Sequence, residues 1–144
     1  MTTRRIRRGT GGRALALSAA LAFGGPLACN TAPMLRPPPV STPLPAGTNR
    51  QIVLETLNER GWTIDSDEPG EIGAHYTKGS HVARIRVSYD ASDIRIAYVS
   101  SENLKCVPVY EGCETIHRAY NRWVDNVYED IRARVQTTSI QTPE

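Results

Sequence analysis

Glu114–Val135 reads ETIHRAYNRWVDNVYEDIRARV, and its periodicity decides how the rest of the chain can fold. At roughly 100° per residue, Ile116, Tyr120, Trp123, Val127 and Ile131 fall within an arc of about 80°, with Val124 and Val135 on its edge. The spacing predicts a helix with one dry stripe. Arg118, Arg122, Asp125, Glu129 and Arg132 form the opposite, wet face, and Asp130 and Arg134 stand i,i+4 as a weak supporting pair. His117, Asn121 and Tyr128 lie on the boundary, where a plain surface helix would more often carry Lys or Glu, and they form a candidate contact line.

A helix with a single apolar stripe needs a surface to cover, and the chain before it supplies one. Four alternating runs give inward positions at Trp62 and Ile64; at Ile72, Ala74 and Tyr76; at Ala83, Ile85, Val87 and Tyr89; and at Ile94, Ile96 and Tyr98. Turn signals at Asp67–Gly70, Lys78-Gly79 and Ala91-Ser92 separate them. A two-residue loop at Lys78-Gly79 would pair Tyr76 with His81, and one at Ala91-Ser92 would pair Tyr89 with Ile94; both keep the apolar residues on one face. Upstream, Thr48 and Gln51 have capping-box spacing, and Gly61 ends a short apolar stripe of Ile52, Val53, Thr56 and Leu57, which places a first helix over Asn49–Arg60. The expected fold is α+β: a two-layer sandwich in which an antiparallel four-stranded meander is covered on one face by an N-terminal and a C-terminal helix. This domain spans 48–135, and the polar tail 136–144 is expected to be disordered.

Residues 1–28 have the three parts of a secretory signal: an Arg-rich start, the apolar run ALALSAALAF from Ala14 to Phe23, and a small-residue end at Leu27-Ala28. The run is shorter than the ~20 apolar residues that span a bilayer. Five of the 17 Lys and Arg residues lie before Cys29 and no Asp or Glu does, so the remainder carries 12 basic against 15 acidic residues, a net of −3. The basic balance belongs to the targeting segment, and without it a nucleic-acid partner loses its electrostatic support. Pro26-Leu27-Ala28-Cys29 resembles the bacterial lipobox, in which a small residue precedes the cysteine that is acylated; Pro26 stands where that pattern prefers Leu. The resemblance implies lipidation at Cys29, and Asn30 after it resembles the outer-membrane sorting pattern, with the protein on the inner leaflet facing the periplasm. The stretch NTAPMLRPPPVSTPLPAG that follows, Asn30–Gly47, reads as a proline-rich tether holding the domain off the membrane.

Three cysteines divide most simply into the lipidated Cys29 and a disulfide between Cys106 and Cys113, as an oxidising compartment allows. Cys106, Cys113 and His117 could instead be imagined as zinc ligands, but a fourth ligand is missing. His75, His81 and His117 match no metal-binding spacing; His81 should point inward and His75 outward. His117 is expected to be neutral near a helix N-terminus and to hold the Ser101–Asn103 loop. Arg84, Arg86 and Arg95 share the outward sheet face, where they could hold an anionic glycan, phosphate or carboxylate, although Glu71 faces Arg86. No glycine-rich phosphate loop, nucleophile elbow or cofactor-binding motif is present.

Ser101-x-Asn103-Leu104 followed by Ile116-His117-Arg118-x-Tyr120-Asn121-Arg122-Trp123-Val124-x-Asn126 resembles the ending of a group of small, uncharacterised proteobacterial envelope lipoproteins. That resemblance covers 48–132 and implies no particular activity; the Cys106–Cys113 segment is not a feature of the group. The readings it leaves are a non-enzymatic binding or adaptor module of the envelope, a small hydrolase or metal-dependent enzyme using the 100–117 loop, and a structural subunit of an envelope complex.

Overall fold

A computed structural model describes residues 30–141. The meander forms as expected. Strands β3 (Thr63–Glu68), β4 (Glu71–Lys78), β5 (His81–Tyr89) and β6 (Asp93–Glu102) pair antiparallel in sequence order. Helices α1 (Ala46–Glu59) and α2 (Arg118–Gln141) join them in one core. Val53, Leu57, Ile72, Val87, Val124, Val127 and Ile131 are completely buried in it; the dry stripe of α2 is turned from the expected one, since Val124, expected on its edge, is fully buried and Trp123, expected within it, is only half-buried.

One hairpin is offset from the expected register. Lys78 pairs with His81 and Tyr76 with Ala83, so the turn residues are Gly79 and Ser80. Gly79 has φ +60, the requirement at the first central position of the primed turn that matches strand twist. The slip is by two residues and therefore leaves every side chain on its expected face. At the next hairpin Tyr89 pairs with Ile94 and Val87 with Ile96, as the alternation predicts. Val99 is the extra residue of a bulge between Arg84 and Ile85, and it is half exposed.

The expected tether is instead part of the domain. Strand β1 (Thr31–Pro33) pairs with β9 (Thr115–His117), and β2 (Val40–Ser41) adds a fifth strand at the β6 edge, giving the order β2-β6-β5-β4-β3. Met34, Val40, Thr42 and Leu44 are buried. The prolines between them make the strap 30–45 extended before it docks, which lowers the entropy lost in ordering it. Asn49 secures its far end. This fully buried side chain accepts from Thr42 Oγ1 at 3.0 Å and donates to the carbonyls of Leu44 at 3.1 Å and Asp90 at 2.8 Å, joining strap, helix and the β5–β6 turn.

Both helices differ from expectation at their ends. Helix α1 begins at Ala46 after Pro45, so Thr48 and Gln51 lie inside it and make no capping box; Gln51 bonds Glu55. Its C-terminus is a Schellman motif, with Gly61 N–H donating to Asn58 O at 3.0 Å and Trp62 N–H to Leu57 O at 2.9 Å. Helix α2 starts at Arg118 because Thr115–His117 is taken by the strand pairing with β1. It continues past Val135 to Gln141 where a disordered tail was expected. No Gly or Pro interrupts that stretch, and Thr137 Oγ1 donates back to Ala133 O at 2.9 Å. Asp130 and Arg134 reach across to α1, to Arg60 and to Glu55 and Glu59 respectively, on exposed surfaces where such pairs contribute little.

Asn49→Ala should lower the free energy of urea unfolding by about 1–3 kcal/mol, since it strands buried partners. Thr48→Ala, at a position the sequence marks as a cap but the fold does not use, should shift it by less than about 0.5 kcal/mol.

Candidate binding site

The segment between β6 and α2 is a small hairpin closed by a disulfide. Cys106 and Cys113 are bonded, with Cα atoms 5.3 Å apart. Between them β7 (Pro108–Val109) pairs with β8 (Gly112–Cys113), leaving Tyr110 and Glu111 at the tip. Val107 exchanges backbone bonds with Thr115 and Glu114, which continues the hairpin into the start of β9. Cys113 is fully buried, so the disulfide fastens the hairpin to the core. At the other extreme Tyr110 is 100 % exposed, and Val99, Val107 and Val109 are each about half exposed nearby in sequence or on the adjoining strand. A fully exposed tyrosine on a covalently closed hairpin is held at low entropic cost for something outside the chain.

Beneath this hairpin lies a cavity of about 500 Å³, bounded by Ile96–Val99 of β6, Met34–Arg36 of the strap, Tyr110–Gly112 and Tyr120. Gly112 suits this turn because its φ of +89 is one that side-chain-bearing residues rarely adopt, and a Cβ there would also push the Met34 methyl aside. Arg36 grips the hairpin, donating to the carbonyls of Glu111 at 2.8 Å and Cys113 at 3.3 Å. Tyr98 meets Tyr120 edge-on at 5.6 Å and places its hydroxyl 2.9 Å from Ser101 Oγ. Burial pushes the Tyr120 phenol well above the ordinary tyrosine range, with the neighbouring Tyr98 adding to the shift and Arg36 opposing it.

The sequence-derived candidates fall into separate places. Cys29 lies outside the described residues. Cys106 and Cys113 are bridged, which removes both sulfurs as metal ligands or nucleophiles. The boundary strip on α2 does not form one contact line. Asn121 is spent on the strap, its Oδ1 accepting from Leu35 N–H and its Nδ2 donating to Pro33 O, both at 2.8 Å. Tyr128 packs half-buried against the core. His117 sits one residue before the helix and caps it, Nδ1 accepting from Ala119 N–H at 3.1 Å. Its ring stacks on His81 at 5.4 Å, and His81 Nδ1 donates to Asn103 O at 2.7 Å. His117 thus contacts the loop through His81, and its own backbone N–H bonds Leu104 O at 2.7 Å. Asn103, at φ 54, steadies that turn by donating to Ser80 O.

On the outer sheet face, Arg84 pairs with Glu102 at 2.8 Å, Arg86 with Glu71 at 3.5 Å and Arg95 with Asp93 at 2.7 Å. Each arginine already has a carboxylate, so this face offers an anion little free charge. His75 is held by Asp65 at 2.7 Å. The residues that gather around the cavity, Arg36, Tyr98, Tyr110 and Tyr120, were readable only in part. Tyr98 and Tyr120 belong to apolar stripes, whereas Arg36 is hidden in what reads as a tether. Tyr110 had one available signal, the apolar string Val107-Pro108-Val109-Tyr110 inside a disulfide loop that ought to be polar. No family model, curated protein or solved structure matches the chain.

Burial, then the nearby His81, Lys105 and Arg122, hold the His117 imidazole below its ordinary range. A folded-state value lower than the unfolded one of about 6.5 means that its contribution to stability is complete above that pH and is lost as pH falls through the folded value. Urea midpoints measured between about pH 7.5 and pH 5 should therefore fall in the native protein, and fall less in His117→Asn, which can cap the helix without titrating.

Proposed function

We propose that this protein is a membrane-anchored envelope lipoprotein whose domain is a non-enzymatic binding or adaptor module. The observation that carries the reading is Tyr110, fully exposed at the tip of a disulfide-closed hairpin above a cavity. A single exposed tyrosine is ordinary, but one fixed on a covalently closed hairpin beside half-exposed valines has the character of a hot-spot anchor. A formed disulfide agrees with an exported protein, as do the signal-like residues 1–28. Acylation at Cys29 would set the domain against the membrane surface rather than away from it, since Asn30 O already accepts from Arg118 N–H at 2.8 Å. Only one peptide bond would then separate the anchor from the folded unit. A partner on the same leaflet would be met at short range.

Two measurements test this. Mass spectrometry of membrane-extracted protein should show acylation at Cys29; a soluble protein with an unmodified N-terminus there would contradict the anchor. Co-purification from detergent-solubilised membranes should recover a partner that Tyr110→Ala reduces by about tenfold or more, the scale of a hot-spot residue. Because the Tyr110 side chain is fully exposed, the variant's unfolding midpoint should not move. Equal recovery with both proteins would contradict the binding surface.

A further inference from the structure

The backbone of β6 has an open edge beside the cavity. Tyr89 N–H bonds Gly70 O, Asp90 N–H bonds Asp93 O, and Thr42 N–H bonds Ser92 O, which together fix the alternation of the ladder. The amide and carbonyl groups of Asp93, Arg95 and Ala97 turn to β5, and those of Ile94, Ile96 and Tyr98 turn the other way. Val40 of β2 occupies the place opposite Ile94. Continuing that register would set Pro38 opposite Ile96 and Arg36 opposite Tyr98, but Pro37-Pro38-Pro39 stops the pairing, and Pro38 has no N–H to give. Among the described residues nothing pairs with the outward backbone groups of Ile96 and Tyr98.

Two side chains at this edge are also unfinished. Tyr120 is 1 % exposed and lines the cavity, yet its hydroxyl has no hydrogen-bond partner among the described residues. Arg36 spends its donors on carbonyls and faces no carboxylate in an ion pair. The other charges lining the cavity are Glu111 and Arg86, the latter already with Glu71, so the unmatched charge is positive at Arg36 and negative at Glu111 on the rim.

We propose that an extended peptide segment of a partner protein adds to the β6 edge at Ile96 and Tyr98, with an acidic side chain turned into the cavity between Arg36 and the Tyr120 hydroxyl. Strand addition satisfies backbone groups that no described residue bonds, and alternate side chains of the peptide point to the cavity and to Ala97 and Val99 outside. An acidic residue supplies an acceptor for the Tyr120 hydroxyl and a counter-charge for Arg36, whose Nη2 alone is engaged by carbonyls. This inference rests on the binding-module reading above and names the form of its partner.

The test uses the purified protein, panned against a random peptide library displayed on phage, followed by amide hydrogen exchange. In the free protein the Ile96 and Tyr98 amides should exchange much faster than Ala97, which is bonded to β5. Enriched peptides should alternate apolar residues with an Asp or Glu and slow exchange at Ile96 and Tyr98. Arg36→Gln and Tyr120→Phe should each weaken those peptides by about tenfold, Tyr120→Phe with the unfolding midpoint nearly unchanged and Arg36→Gln with a lower one, because it also gives up the Glu111 and Cys113 carbonyls. Absence of enrichment, bound peptides that leave the two amides unaltered, or protection already present without peptide would each overturn the proposal, as would protection that appears only with self-association of the protein. If Tyr110→Ala still releases a membrane partner in those cases, the binding-module reading stands and only the strand-addition mode falls.

Discussion

The bidentate hold of Asn121 on the strap is the contact on which the rest of the structure depends. One amide side chain accepts from Leu35 N–H and donates to Pro33 O, and so fixes a short extended segment against the first turns of the C-terminal helix. With that segment in place, Thr31–Pro33 can pair with Thr115–His117, and Met34 can enter the core under the disulfide hairpin. Val40 reaches the edge of the sheet, and Asn49 ties down the far end. A small domain gains much from closing its core with an adjoining segment, because surface dominates at this size.

The same strap accounts for the place where the molecule is open. Its three consecutive prolines suit an extended path but end the pairing with β6 after two residues, so the sheet edge, the hairpin and the strap enclose a cavity rather than a filled seam. The disulfide then fixes the roof of that cavity to the buried Cys113, while Tyr110 projects from its tip. The buried Thr56 Oγ1, without a partner, lies apart in α1, whereas the outward backbone groups of Ile96 and Tyr98 and the Tyr120 hydroxyl, none bonded to another described residue, border this one space. Their concentration there, rather than on the arginine-bearing sheet face, decides where binding is proposed.

Much of the architecture was legible because two periodicities are clean. The alternation in β4–β6 and the stripe of Tyr120, Val127 and Ile131 leave little choice in burying the apolar residues, although the period puts Trp123 in that stripe where the fold buries Val124. Register at Gly79 was misread by two residues because Lys-Gly and Gly-Ser both suit a turn and neither changes the faces. The strap was misread for a deeper reason. Proline-rich composition reports extension, which a tether and a docked strand share, and the apolar residues that distinguish them, Met34, Val40 and Leu44, are too sparse to form a period. Asn121 and His117 drew attention as polar residues on a helix boundary, and both have structural employment there, as a clamp and as a cap. The cavity residues were the least legible, since they come from the strap, an edge strand, a loop and a helix, and no local pattern joins them.

Equilibrium urea unfolding of the protein beginning at Asn30, compared with one beginning at Ala46, tests the central claim that the strap is part of the fold. Removing it deletes β1, β2, Met34, Val40 and Leu44 and leaves Asn121 and Asn49 without their partners, so the shorter protein should lose its cooperative transition or several kcal/mol of stability, on the scale of multiple buried-residue losses. A shorter protein that unfolds with the same midpoint and slope would show that the strap is a tether after all.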